Sequence, residues 1–214
     1  SENLDAYIRL GDLLRELGDP AKALAIHRDL TVRPHLEDET RMRILESMTR
    51  DYLGLGRYEE AGQSAERLRQ VSRQNRFALT ALVEVAEALK DWPRAVQFSD
   101  ELSKLSGDKE NRQRALYHGY VGGEELAAGK VAEARRRFEE ALKLDASCRP
   151  PLLFLGELAY REGNGEAAIA RWREFADQAP EKASVVFDRL ERATFELGQF
   201  GDMIRFYREL LHRM

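Results

Sequence analysis

The residues able to do chemistry are few and scattered. The four histidines, His27, His35, His118 and His212, stand far apart. Neither an H-E-x-x-H nor a C-x-x-C pattern occurs, so nothing has the spacing of metal ligands on one helix or loop. The one cysteine, Cys148, excludes an intrachain disulfide and fits a reducing compartment. The acidic pairs Glu59-Glu60, Glu124-Glu125 and Glu139-Glu140 are adjacent in sequence. Adjacent residues diverge on a helix, so these pairs cannot act together as acid and base. There is no G-x-S-x-G and no phosphate-binding loop; Gly122-Gly123 lies inside a helical pattern. The expectation is a chain that is not an enzyme and carries no cofactor and no metal.

Composition narrows the remaining classes. Of 214 residues, 43% are hydrophobic and 34% charged, a mixture that suits amphipathic helices and not disorder. The 34 Lys and Arg are interleaved with 38 Asp and Glu, for a net charge of −4. Arg135-Arg136-Arg137 is followed at once by Glu139-Glu140. Mixed-sign charge of this kind dresses a solvated helix face, so nucleic acid is not expected as a partner. No apolar run approaches the roughly 20 residues that cross a bilayer, so no membrane insertion by this segment is expected. The opening SENLDAY lacks the regions of a signal peptide. The chain starts and stops inside helical patterns, as an excised domain would.

What positions these residues is a repeat. A short turn pattern recurs as GDPAKA from Gly18, GRYEEA from Gly56, KDWPRA from Lys90, GKVAEA from Gly129, GNGEAA from Gly163 and GQFGDM from Gly198. The steps are 38, 34, 39, 34 and 35 residues. Glycine suits the left-handed residue that closes a helix, Asp19 or Asn164 can cap the next one, and Pro20 and Pro93 fit its first turn. Ala23, Ala61, Ala95, Ala134 and Ala168 fall where the two helices of a hairpin cross closely; the sixth copy has Met203 there. Before each turn lies one apolar face: Tyr7, Leu10, Gly11 and Leu14; Leu45, Met48, Thr49 and Tyr52; Leu79, Leu82, Val83 and Ala86; Leu152, Leu155, Gly156 and Ala159. His118, Val121 and Gly122, then Phe187, Leu190 and Thr194, are degraded versions. After the turns, Phe138, Trp172 and Tyr207 hold an aromatic position.

With a period near 34, these residues resemble the tetratricopeptide repeat superfamily along the whole chain. The resemblance implies an all-α fold: a right-handed superhelical solenoid of six helix-turn-helix hairpins in a single domain, 1–214. The repeats fall at about 4–36, 42–75, 76–109, 115–148, 149–183 and 184–214. The steps of 38 and 39 insert polar stretches, Arg33 to Thr40 and Ser106 to Arg112. These make either longer loops between repeats or longer first helices.

A solenoid of helix pairs is concave on the side of its first helices, and binding surfaces form there. Projected from the repeat register, that face carries Ile8, Asp12 and Arg15; Glu46, Arg50 and Leu53; Phe77, Thr80, Glu84 and Glu87; Gly119, Gly123 and Leu126; Leu153, Glu157, Tyr160 and Arg161; and Asp188, Arg192 and Phe195. The candidate groove residues are Arg50, Glu84, Gly119, Gly123, Leu126, Leu153, Glu157, Tyr160, Arg161, Arg192 and Phe195. Aromatic residues mixed with Arg are the usual composition of an interface hot spot. Gly119, Gly122 and Gly123 serve either close packing of neighbouring helices or a window for a ligand's backbone. Tyr160 and Phe195 either pack on the adjacent repeat or face the groove. A carboxylate clamp for a chaperone tail would need Lys, Asn and Arg where this chain has Ile8, Asp12, Glu46 and Arg50. Phe200, Phe206, Tyr207 and Leu210 leave the last helix apolar, which would allow a homo-oligomer through it.

Some segments carry a closer resemblance. LGDLLRELGDPAKALAIHRDL (Leu10 to Leu30) and Arg50-Asp51-Tyr52 followed by GLGRYEEA are similar to the opening repeats of the bacterial lipopolysaccharide assembly protein B family. So are Lys90-Asp91-Trp92 with Arg94-Ala95-Val96, Lys104-Leu105 with Gly107-Asp108-Lys109, and LGELAYREGNGEAAIARW (Leu155 to Trp172). The resemblance covers about residues 5–178. It implies a protein-binding adaptor on the cytoplasmic side of the inner membrane, tethered by a segment absent from this chain. Such an adaptor tunes lipopolysaccharide synthesis by helping a membrane protease control the committed deacetylase. The family's N-terminal membrane helix and its rubredoxin-like module with paired C-x-x-C have no counterpart in these residues. The alternative is a regulatory repeat segment of a larger enzyme, such as a glycosyltransferase, or a self-assembly module.

Overall fold

The computed structural model describes residues 2–107 and 111–213. The described residues form twelve α-helices and one short 3-10 turn, with no strand among them. Contacts divide the chain into two compact units, Ser1–Lys109 and Glu110–Met214. Each is built from three helical hairpins.

The first unit comprises α1 (Glu2–Glu16) with α2 (Pro20–Thr31), α3 (Asp38–Gly54) with α4 (Tyr58–Val71), and α5 (Arg76–Ala88) with α6 (Trp92–Ser106). Within it, α3 packs on both helices of the first hairpin, and α5 packs on both helices of the second. The second unit comprises α7 (Asn111–Ala127) with α8 (Val131–Leu144), α9 (Arg149–Arg161) with α10 (Gly165–Gln178), and α11 (Ser184–Glu196) with α12 (Phe200–Leu211). Here α9 packs on α7 and α8, and α11 on α10.

One local device makes all six hairpins. The turn residue is left-handed, at φ +88° for Gly18, +67° for Gly56, +77° for Gly129, +80° for Gly163 and +67° for Gly198. It closes the first helix by paired backbone bonds; the Gly18 amide donates to Arg15 O and the Asp19 amide to Leu14 O, both at 2.9 Å. Asp19, Asp91 and Asn164 then cap the second helix, each accepting from the backbone amide three residues on. Ala23, Ala61, Ala95, Ala134 and Ala168 are fully buried at the crossings, and Met203 takes the same place in the sixth hairpin.

The insertions resolve as longer first helices. Both α3 and α7 run 17 residues, against 13 in α5, α9 and α11. The four extra residues are about one turn, so they extend a helix without rotating its packed face far. Residues 108–110, including the Asp108-Lys109 part of the family-like segment, lie outside the described residues.

A buried polar network ties α1, α2 and α3. Asp51 and His27 are both fully buried, with Asp51 Oδ2 2.6 Å from His27 Nδ1. Arg15 donates to the other Asp51 oxygen at 2.8 Å and to Asp12 at 2.6 Å. Ser47 also donates to Asp12, at 2.8 Å. Burial works to raise the Asp12 pKa, but these hydrogen bonds outweigh it and hold the carboxyl below its usual value.

Candidate binding surface

The projected groove residues do not share one environment. In the first unit, Ile8 is buried beside Leu24, Leu30 and Ile44 in the apolar core, so it offers nothing to a ligand. Asp12 and Arg15 are committed to the network around Asp51. That leaves Arg50, whose guanidinium lies 4.3 Å over the Phe77 ring and 3.8 Å from Glu46. Glu84 is exposed further along α5. The chaperone clamp lacks its groups here in space as well as in sequence.

In the second unit the three unusual glycines part company. Gly119 is buried, and a Cβ on it would stand 3.6 Å from Pro151. Gly122 lies under Phe138, which a Cβ would meet at 2.6 Å. Gly122 therefore serves close helix packing, whereas at Gly119 a side chain would make only ordinary contact with Pro151. Gly123 alone faces open space, with nothing within 4 Å. Leu126 packs against the cluster of Phe138, Leu155 and Leu158.

The surface shared by α9 and α11 is where projected residues do meet. Glu157 accepts from Arg161 at 3.0 Å on its own helix and pairs with Arg189 of α11 at 3.4 Å. Tyr160 donates its hydroxyl to Glu196 of α11 at 2.7 Å, and that hydrogen bond raises its pKa. Its ring stands 5.8 Å from Trp172. Leu153 is partly buried, and its carbonyl accepts from the Trp172 indole at 3.3 Å. Arg192 is exposed and has no ion-pair partner among the described residues. Phe195 is 69% exposed, supported edge-on by Phe200 at 5.3 Å. The side chains of α9 are thus held in place by α11, while one cation and one ring stay open. Sequence reading missed Arg189 and Glu196, which do the holding; both lie on α11, the helix that supplies Arg192 and Phe195.

Two cavities also escaped it. One of about 600 Å³ lies in the first unit between α4, α5 and α6, floored by Leu82, Val85 and Leu89. Gly62, which lines it, stands at the register filled by Leu24, Val96 and Ile169 in other hairpins. Another, of about 380 Å³, is lined by Arg112, Tyr120, Leu153, Phe154 and Lys182. Cys148, at its edge, has its thiol pushed up to about 11, first by burial and then by Asp145, so it stays protonated and unreactive at neutral pH. Among the described residues no three His, Cys, Asp or Glu side chains gather to hold a metal, and no helix is long and apolar enough to cross a membrane.

The family model for the tetratricopeptide repeat matches residues 123–189, the stretch holding Gly156, Ala168 and Trp172. Over this stretch the chain is similar to the tetratricopeptide repeat family. It resembles lipopolysaccharide assembly protein B of Escherichia coli, 22% identical over 203 residues, which are 95% of this chain and 52% of that protein. The Haemophilus influenzae protein of the same name is 25% identical over 199 residues, 92% of this chain and 50% of its own length. The chain thus spans about half the length of the curated relatives it matches. Among solved structures, YrrB, a tetratricopeptide repeat protein with an unusual peptide-binding site, shares the fold at a TM-score of 0.53 and 19% identity, over 81% of this chain and 85% of that one.

Proposed function

We propose that this protein-interaction scaffold captures a partner segment on the first-helix face of α9 and α11. The observation that carries the reading is the open Arg192 and Phe195 beside a surface already fixed by the Tyr160–Glu196 and Arg189–Glu157 contacts. Preorganised side chains bind with little ordering cost, and an aromatic ring beside an Arg is the usual hot-spot pairing. The resemblance to lipopolysaccharide assembly protein B supports a partner in that pathway. On this reading the scaffold works on the cytoplasmic side of the inner membrane, bringing a membrane protease to the enzyme it regulates.

Arg161→Glu with Arg192→Glu tests both levels. The double variant should lose at least tenfold in affinity for the partner, while its helical circular dichroism and melting temperature stay those of the parent. A photo-crosslinking amino acid at position 195 should capture the membrane protease in cells. Unchanged partner affinity would sink the proposed face, and a crosslink to an unrelated protein would sink the pathway.

A further inference from the structure

The cavity of about 380 Å³ in the second unit stands out by its charge. Three cations line it, Arg112, Arg149 and Lys182, against the single carboxylate of Asp145, a balance of +2 in a chain whose net charge is −4. The larger cavity beside α4 has Glu59, Glu66 and Asp91 against Arg67 and Arg94, a balance of −1. Asp145 is already engaged, accepting from the Ser147 hydroxyl at 2.6 Å and the Ser147 amide at 2.8 Å. Arg149 meets Glu181 at 3.4 Å, but that carboxylate lies outside the lining and is 65% exposed, so water screens the pair. Arg112 and Lys182 are exposed and lie within ion-pair distance of no carboxylate among the described residues.

Below these cations the walls are apolar and fixed. Phe154 stacks on Phe138, with ring centroids 5.2 Å apart and planes 9° from parallel. Phe175 is buried in the cluster that holds Trp172, and Leu153 packs against that cluster. Lys182 sits on the short turn Pro180–Lys182, whose flanking residues Ala179 and Ala183 are buried. Such walls need little reordering to accept a guest. Low-dielectric walls also focus the potential of rim charges into the mouth of a cleft. A guest that satisfies both puts an apolar group inside and a negative charge at the rim. The volume is at the small end of the roughly 300–1,000 Å³ of ligand pockets, room for a large side chain and not for a helix about 10–12 Å across.

We infer that this cavity recognises an acidic peptide segment, taking a large apolar side chain onto its floor and pairing the adjacent Asp or Glu with the rim cations Arg112, Arg149 and Lys182. Bonds from guanidinium to carboxylate are charge-assisted and give such a contact its strength. A peptide suits the site better than a free anion because the chain has a way out. Tyr120 lines the cavity, and one turn further along α7 Gly123 has nothing within 4 Å of a notional Cβ, so a backbone leaving there meets no side chain. The site is distinct from the surface proposed for partner capture. Leu153 and Arg161 are eight residues apart, about 12 Å along α9.

The capped dipeptide acetyl-Phe-Asp-amide, titrated into the isotope-labelled 214-residue chain, should give saturable amide shifts in NMR centred on residues 116–120, 148–154 and 182. Acetyl-Phe-Asn-amide lacks the charge and acetyl-Gly-Asp-amide lacks the ring; each should bind about tenfold more weakly. Arg112→Glu with Lys182→Glu should weaken acetyl-Phe-Asp-amide by about tenfold or more. Both positions are exposed, so that variant should keep parental helicity. Arg161→Glu with Arg192→Glu should leave dipeptide binding unchanged, which tells loss of this site from loss of the other. No saturable shift, or shifts centred elsewhere, would overturn the inference. Equal binding of the Asn dipeptide would reduce the cavity to a plain apolar pocket, and equal binding of the Gly dipeptide would reduce it to a diffuse anion surface; either result overturns it too.

Discussion

At the scale of single residues, the hairpins are keyed by pairs 16 positions apart. Gly11 lies under the His27 ring, Gly122 under Phe138 and Gly156 under Trp172, each with 2.4–2.6 Å from a notional Cβ to the nearest ring atom. In two hairpins with a larger first member the second is small: Thr49 with Ala65, Val83 with Ser99. His27 and Trp172 go further and bond alike, His27 Nε2 3.2 Å from the Ile8 carbonyl and Trp172 Nε1 3.3 Å from that of Leu153. Gly156→Val should therefore destabilise by about 1–3 kcal/mol through overpacking, and Trp172→Ser by roughly 3–5 kcal/mol through the cavity it leaves. Together they rebuild the Val83–Ser99 pair, so the double variant should be less unstable than the sum, by about 0.5–3 kcal/mol in urea titration. Strict additivity would show that the ring and the glycine do not set each other's size. The glycines were legible as part of each helix's apolar face. Their ring partners were not paired with them, because periodicity along one helix carries no register between two. Ile8 was misplaced for a related reason: it sits at the border of the inner face, where an apolar side chain is drawn into the core.

At the scale of elements, the turn pattern was fully readable, and its one irregularity has a physical consequence. Lys90 holds the place of the turn glycines with φ +56°. Its amide still donates to Glu87 O at 3.0 Å and the Asp91 amide to Ala86 O at 2.8 Å, so the same closing bonds are kept with a side chain in the left-handed region. A β-carbon there costs energy that glycine avoids, partly offset by the greater freedom of glycine in the unfolded chain. Lys90→Gly should raise stability by about 0.5–1 kcal/mol, read as a higher urea midpoint at unchanged slope. A lower midpoint would mean that the Lys90 side chain contributes more than the strain removes. The longer α3 and α7 were left open between loop and helix, since polar residues such as Asp38 and Glu39 suit either. Acidic residues in the first turn of α3 favour the helical outcome through the helix dipole.

At the scale of the whole molecule, six in-register copies made the helical hairpins legible. The division into two units after Lys109 was not, because no shift in composition marks it. The stretch Ser106 to Arg112 reads much like Arg33 to Thr40, which lies inside the first unit. The difference is in burial. In the first unit, Leu24 and Leu30 of α2, Met48 and Tyr52 of α3 and Val85 of α5 join one apolar cluster. In the second, a cluster runs from Leu152 to Leu210 through Trp172 and Leu190. Three stacked repeats are about the least that gives a stable array, and each unit has three. Residues 1–109 and 110–214, expressed separately, should therefore each fold, with helicity matching their share of the intact chain and a cooperative melt of their own. A fragment that is unfolded by circular dichroism would show that its core is incomplete without the other three hairpins, and that contact density had placed the boundary where no folding unit ends.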